Sequence, residues 1–170
     1  AAFIGTKDAP GIFDSFACRT IIDFPLTNKA DGVTVKEYCA KRDAEVAGGA
    51  VHYTALECWK EENGAKKSYA LADNVTMNIL YNYYYENKSS DENNYSVCML
   101  FTQGNYNYLF TGDLEEKGEE YLVEYNKLPK CKLFKGGHHG SKTSSTDTLL
   151  SVIQPETVCV CCCAGAPEYT

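Results

Sequence analysis

A chain of 170 residues with 44% apolar content is long enough to bury one core and too short to suggest two. A net charge of −7 excludes a broad basic surface for nucleic acid, and mixed charges without Gly/Ser-rich or proline-rich runs exclude a chain that is disordered throughout. No apolar run approaches the length of a membrane span and residues 1–5 lack the charged start of a secretion signal, so the chain reads as soluble.

Residues 18–24 read as a short strand ended by Pro25, and residues 33–47, with Val33, Tyr38 and Val46 among charges, as an amphipathic helix stopped by Gly48-Gly49. Residues 51–59 have strand composition, and 60–67 form a polar turn with the hairpin signal Asn63-Gly64. Residues 75–81 alternate as a strand and lead through Tyr83, Tyr84 and Tyr85 into a polar loop, 86–94. Strands at 95–102 and 106–110 flank Gln103-Gly104-Asn105, a hairpin connection, and the second runs straight into Thr111-Gly112-Asp113. A helix at 119–126 is followed by a strand at 131–134, then a helix at 147–154 stopped by Pro155, and a closing strand at 157–163. This order describes a sheet with helices on one outer face, half of a layered α/β sandwich, and the whole of 1–170 is expected to be one domain.

The nine cysteines include Cys159, Cys161, Cys162 and Cys163 in a single apolar run, where neighbours on a strand point to opposite faces and cannot easily pair. They are expected as buried thiols of a reduced protein, and the absence of C-x-x-C spacing among the rest speaks against a zinc ribbon. The chain lacks an initiator Met and stops at Thr170 just after an apolar run, so both ends read as cut.

Two strand ends concentrate the chemistry. Asp113 follows a glycine at the end of an apolar strand, a place for a rigidly held carboxylate that suits a bridging metal ligand, although taken alone it fits a helix cap or turn aspartate better. His138 and His139 follow another strand and sit among Gly136, Gly137 and Gly140, a glycine density that suits main chain held close to an ion or ligand, or else a solvated turn. Ser141, Lys142 and Thr143 supply hydroxyls and a cation before a helix start, suited to an anionic substrate or to ordinary capping. Asn94 and Ser96 open a strand and can orient a ligand or close a turn, whereas His52 reads as a strand residue without a catalytic role.

Taken together, Asn93 to Val97, Tyr108 to Glu115 with Thr111-Gly112-Asp113, Leu133 to Ser145 with Gly137-His138-His139-Gly140-Ser141-Lys142-Thr143-Ser144-Ser145, and Ile153-Gln154-Pro155 resemble the metallo-β-lactamase-fold domain of ComEC-type DNA-uptake proteins and their soluble relatives. The resemblance covers about residues 73–165. It implies a four-layer αββα fold seen here as its C-terminal half, two divalent ions (zinc or manganese), and hydrolysis of phosphodiesters, in DNA or in smaller esters. Asp113 would then be a metal ligand, His138 or His139 a ligand or phosphate contact, Ser141, Lys142 and Thr143 substrate-binding, and Asn94 and Ser96 supporting residues. The family's HxHxDH cluster is absent, which implies that the N-terminal half lies upstream of Ala1; the late His-Pro pair is replaced by Ala164-Gly165-Ala166-Pro167. Bacterial cytoplasm or the cell envelope is the expected setting. The rival expectation is a non-catalytic binding or scaffold domain of the same fold.

Overall fold

The computed structural model describes residues 4, 5 and 8–162. Its elements are α1 (Ile12–Ser15), β1 (Thr20–Asp23), α2 (Val33–Ala47), β2 (Val51–Thr54), α3 (Ala55–Lys60), β3 (Ser68–Ala72), β4 (Val75–Ile79), β5 (Met99–Gln103), β6 (Tyr106–Phe110), α4 (Glu116–Tyr125), β7 (Leu133–Lys135), α5 (Asp147–Ile153) and β8 (Thr157–Cys159). β1 and β2 pair in parallel, as a strand–helix–strand crossover through α2 requires. The other six strands form one sheet in the order β3-β4-β5-β6-β7-β8, antiparallel from β3 to β6 and parallel from β6 to β8.

Strand alternation sorts this sheet into two faces. Leu100, Leu109 and Phe134 stand opposite one another across β5, β6 and β7. They pack against Leu122 of α4 and Leu149 and Ile153 of α5, so both crossover helices lie on that face. The other face carries Met77, Met99 and Ile79, which pack against α3 and against Ile22 and Phe24 from the β1 segment. That cover reaches only part of this face. Across the rest, Phe101, Tyr108, Phe110 and Leu133 remain partly exposed and line a groove of about 330 Å³, with the Phe101 and Phe110 rings edge to face at 5.3 Å.

Several expectations are corrected. Residues 51–59 are not one strand, because Thr54 and Glu57 form a capping box that starts α3. Asn63-Gly64 does adopt the left-handed turn geometry (φ 53° and 84°), but it links α3 to β3 and makes no hairpin. The hairpin partner of β4 is β3, a strand that the sequence pattern did not reveal. Helices do not lie on one outer face only, since α3 covers part of the other. The closing run is not buried: β8 is the outermost strand, paired on one side alone, and Cys159, Cys161 and Cys162 are exposed thiols, while Cys163 lies outside the described residues. No helix among the described residues is long and apolar enough to cross a membrane.

Candidate active site

Asp113 is placed by a turn that only glycine fits. Gly112 has φ +62°, and a Cβ there would lie 2.8 Å from Ser96 Oγ and 2.9 Å from Ser96 Cβ. The same Ser96 hydroxyl accepts the Asp113 N–H at 2.9 Å and donates to the Asn93 carbonyl at 2.7 Å. Asn94 is buried and its Oδ1 accepts the Glu115 N–H at 3.3 Å, while Asn82 braces the pair by donating to the Asn94 and Ser96 carbonyls at 3.0 and 2.9 Å. Asn94 and Ser96 therefore hold the backbone on which Asp113 and Glu115 stand.

The histidine segment docks on this turn through the His138 N–H, which donates to the Gly112 carbonyl at 3.1 Å. His138, His139 and Gly140 have φ of 42°, 56° and 85°, three left-handed residues in succession. Two of them carry side chains, a strained arrangement of the kind found where a loop is held for a purpose. The rings diverge, with centroids 6.4 Å apart. His139 Nδ1 lies 2.8 Å from the Cys161 carbonyl, so it donates there and leaves Nε2 as the ring nitrogen that faces Asp113, 3.7 Å from Oδ1. His138 Nδ1 instead faces Glu115 Oε1 at 3.5 Å and Thr143 Oγ1 at 3.4 Å.

Glu115 is a site neighbour that the sequence reading left unassigned. Its Oε1 also accepts from Thr143 Oγ1 at 3.2 Å and Asn93 Nδ2 at 3.3 Å. Lys135 is a second: its Nζ donates to the Gly112 carbonyl at 3.4 Å and lies 4.0 Å from Asp113 Oδ1. Their signal was their place alone, one at a helix start after the Asp113 turn and one at the end of β7. Of the expected anion-binding residues, Ser141 Oγ lies 3.0 Å from Thr143 Oγ1, and Lys142 is exposed. His52 sits on β2 with Nε2 2.8 Å from Asp23 Oδ1.

The separation of Asp113 Oδ1 and His139 Nε2 matches two donors sharing one ion at metal–ligand bonds near 2 Å. A complete site needs three or four protein donors, and no group of three or more His, Cys, Asp or Glu converges among the described residues. The donor set fits one edge of an ion site and not a whole one.

The metallo-beta-lactamase superfamily model matches residues 91–164, the stretch that builds this strand-end cluster. This part of the chain is similar to metallo-beta-lactamase superfamily sequence. The mixed sheet flanked by α4 and α5 is accordingly the C-terminal half of that α/β fold. Among curated proteins, ComE operon protein 3 of Bacillus subtilis is 32% identical over 71 residues, covering 42% of this chain and 9% of that protein. Competence protein ComA of Neisseria gonorrhoeae is 40% identical over 72 residues, covering 42% of this chain and 10% of that protein. Recombination protein 2 of Haemophilus influenzae is 38% identical over 65 residues, 38% of this chain and 8% of that protein. The matched stretch thus spans about a tenth of the length of these relatives. The resemblance stated from the motifs is borne out, and the metallo-beta-lactamase superfamily segment is a hydrolase-fold segment.

Proposed function

We propose that this chain carries one side of the active site of a metal-dependent phosphodiesterase. The observation that carries the reading is the Asp113–His139 pair, a carboxylate oxygen and an imidazole Nε2 3.7 Å apart at neighbouring strand ends. Two divalent ions, zinc or manganese, would supply an activated water when bound. Asp113 and His139 would contribute donors to them, and the remaining donors would come from polypeptide other than the described residues, which bring no third one to this point. His138, held against Glu115 and Thr143, would meet a phosphate oxygen, and Ser141, Lys142 and Thr143 would receive an anionic substrate. Similarity to competence and recombination proteins favours DNA among phosphodiesters. The half-covered sheet face at Phe101, Tyr108, Phe110 and Leu133 supports the same reading, since a layered sandwich buries such a face under a second sheet.

Titration calorimetry tests this. Zinc or manganese added to the 170-residue chain should bind weakly, as two donors allow, and without useful hydrolysis of bis(p-nitrophenyl) phosphate or DNA. The full gene product should bind tightly and hydrolyse the ester, and Asp113→Ala should remove both properties. A full product that binds no metal would instead establish a scaffold domain. Full activity of the 170-residue chain would refute the incomplete site.

A further inference from the structure

Glu119 has no part in the chemistry above, yet it is the one buried carboxylate among the described residues. It lies on α4 one helical turn after Glu115, and it is 0% exposed. Oε1 accepts the Ser145 N–H at 2.7 Å, and Oε2 accepts both the Thr146 N–H and the Thr146 hydroxyl at 2.8 Å. No cation pairs with it among the described residues, so its burial is unfavourable apart from these three bonds. Burial accordingly pushes the Glu119 carboxyl above the usual range.

The bonds go to the far end of the histidine loop, not to a neighbouring turn. Thr146 is the residue that begins α5, where a threonine ordinarily caps the helix with its own hydroxyl. Here that hydroxyl makes no cap and is given to Glu119. Gly137 and Ser145 close the same loop, the Gly137 N–H donating to Ser145 Oγ at 3.1 Å. A Cβ on Gly137 would lie 3.0 Å from Ser144 Cβ and 3.4 Å from Glu119 Oε1, so loop and carboxylate are packed tightly. Between these anchors His138, His139, Gly140 and Ser145 all have positive φ, and three of the four carry side chains that disfavour it. Such a backbone persists only where its surroundings over-determine it.

We propose that Glu119 is the positioning residue of the histidine loop, its buried carboxylate tying Ser145 and Thr146 to α4 so that His138 and His139 stand over Glu115 and Asp113. The tether is efficient because both halves of the cluster then hang from one helix start. Asp113 and Glu115 lead directly into α4, and the loop is bound to the same segment at Thr143–Glu116 and Ser144–Leu114 by bonds of 2.8 and 2.7 Å. Glutamine at this position puts an amide donor where Oε2 accepts the Thr146 N–H, which frees the end of the loop and lets the left-handed stretch relax. The functional meaning of this role rests on the metal-site reading.

The test uses the 170-residue chain without metal. It has three histidines, and His52 lies on β2, away from the loop, as an internal control. In Glu119→Gln the imidazole proton signals of His138 and His139 should move or broaden while those of His52 stay in place. The Ser145 and Thr146 amides should exchange with solvent about ten-fold faster or more. Ile79→Val, in the other core cluster, serves as a destabilised control and should shift neither loop histidine. Unmoved His138 and His139 signals in Glu119→Gln, with only a lower unfolding midpoint, would reduce Glu119 to a helix cap and overturn the proposal. If that variant fails to fold, Thr146→Ala, which removes one of the three bonds and keeps the carboxylate, decides: smaller shifts of the same signals support the tether, and none overturns it. Because these readouts need no metal, a full gene product that binds no manganese would sink the metal-site reading and leave the tether standing.

Discussion

Gly112→Ala offers a quantitative check on how rigidly Asp113 is held. An alanine at φ +62° carries about 1 kcal/mol of left-handed strain. Its Cβ would also meet Ser96 Oγ and Cβ at 2.8 and 2.9 Å, well inside contact distance. Overpacking of this kind costs about 1–3 kcal/mol. The sum, about 2–4 kcal/mol, is a large part of the about 5–15 kcal/mol that a domain possesses. If Ser96 swings away to relieve the clash, the Asp113 N–H loses its acceptor, about 0.5–1.5 kcal/mol, so that escape gains little. Urea unfolding followed by Trp59 fluorescence and by circular dichroism gives the loss directly. The same substitution made in a Ser96→Gly background, where both clashing atoms are gone, should cost only the strain, about 1 kcal/mol. Equal losses in the two backgrounds would show that Ser96 does not pack against Gly112, and a single-variant loss below about 0.5 kcal/mol would show that the turn is not held as described.

The two sheet faces should respond differently to truncation. Phe134→Ala, at a fully buried ring, should cost about 3–5 kcal/mol, and Phe110→Ala on the half-covered face about half of that; equal losses in urea titrations would contradict the open face. A thiol reagent without denaturant should label Cys159, Cys161 and Cys162 quickly and Cys58, Cys98 and Cys131 slowly, burial holding the Cys131 thiol up at about 11; slow labelling of the first three would restore the buried closing strand. The pH dependence of stability should carry the mark of Glu119. Its carboxyl is raised in the fold, so the stabilisation it gives is full below the unfolded carboxylate pKa and is lost as pH rises through the folded value. Relative to Glu119→Gln, the unaltered chain should therefore lose ground as pH rises past the unfolded carboxylate value of about 4.3, and a difference that does not change with pH would refute the raised carboxyl.

What the sequence determined by itself is local. Alternation and turn residues placed β4, β5 and β6, the 33–47 pattern gave α2 its bounds, and Asp113 and the His138–His139 pair were legible because each follows an apolar strand and a glycine. The signal for α3 was also present, Thr54 and Glu57 at capping-box spacing, but the β-rich composition around it outweighed it. Burial of the closing strand was not legible, because an apolar run reads alike in the centre of a sheet and at its rim, and only strand order makes β8 the outermost. Nor could spacing separate the two histidines. They are adjacent in sequence, yet left-handed backbone at both positions turns one ring toward Asp113 and the other toward Glu115 and Thr143. Glu119 was one acid among several on an amphipathic helix until α5 was packed against α4. Sequence periodicity reports which face of an element is apolar, whereas a buried carboxylate takes its role from donors 26 and 27 residues away, and those are brought to it only when the sheet has ordered the helices.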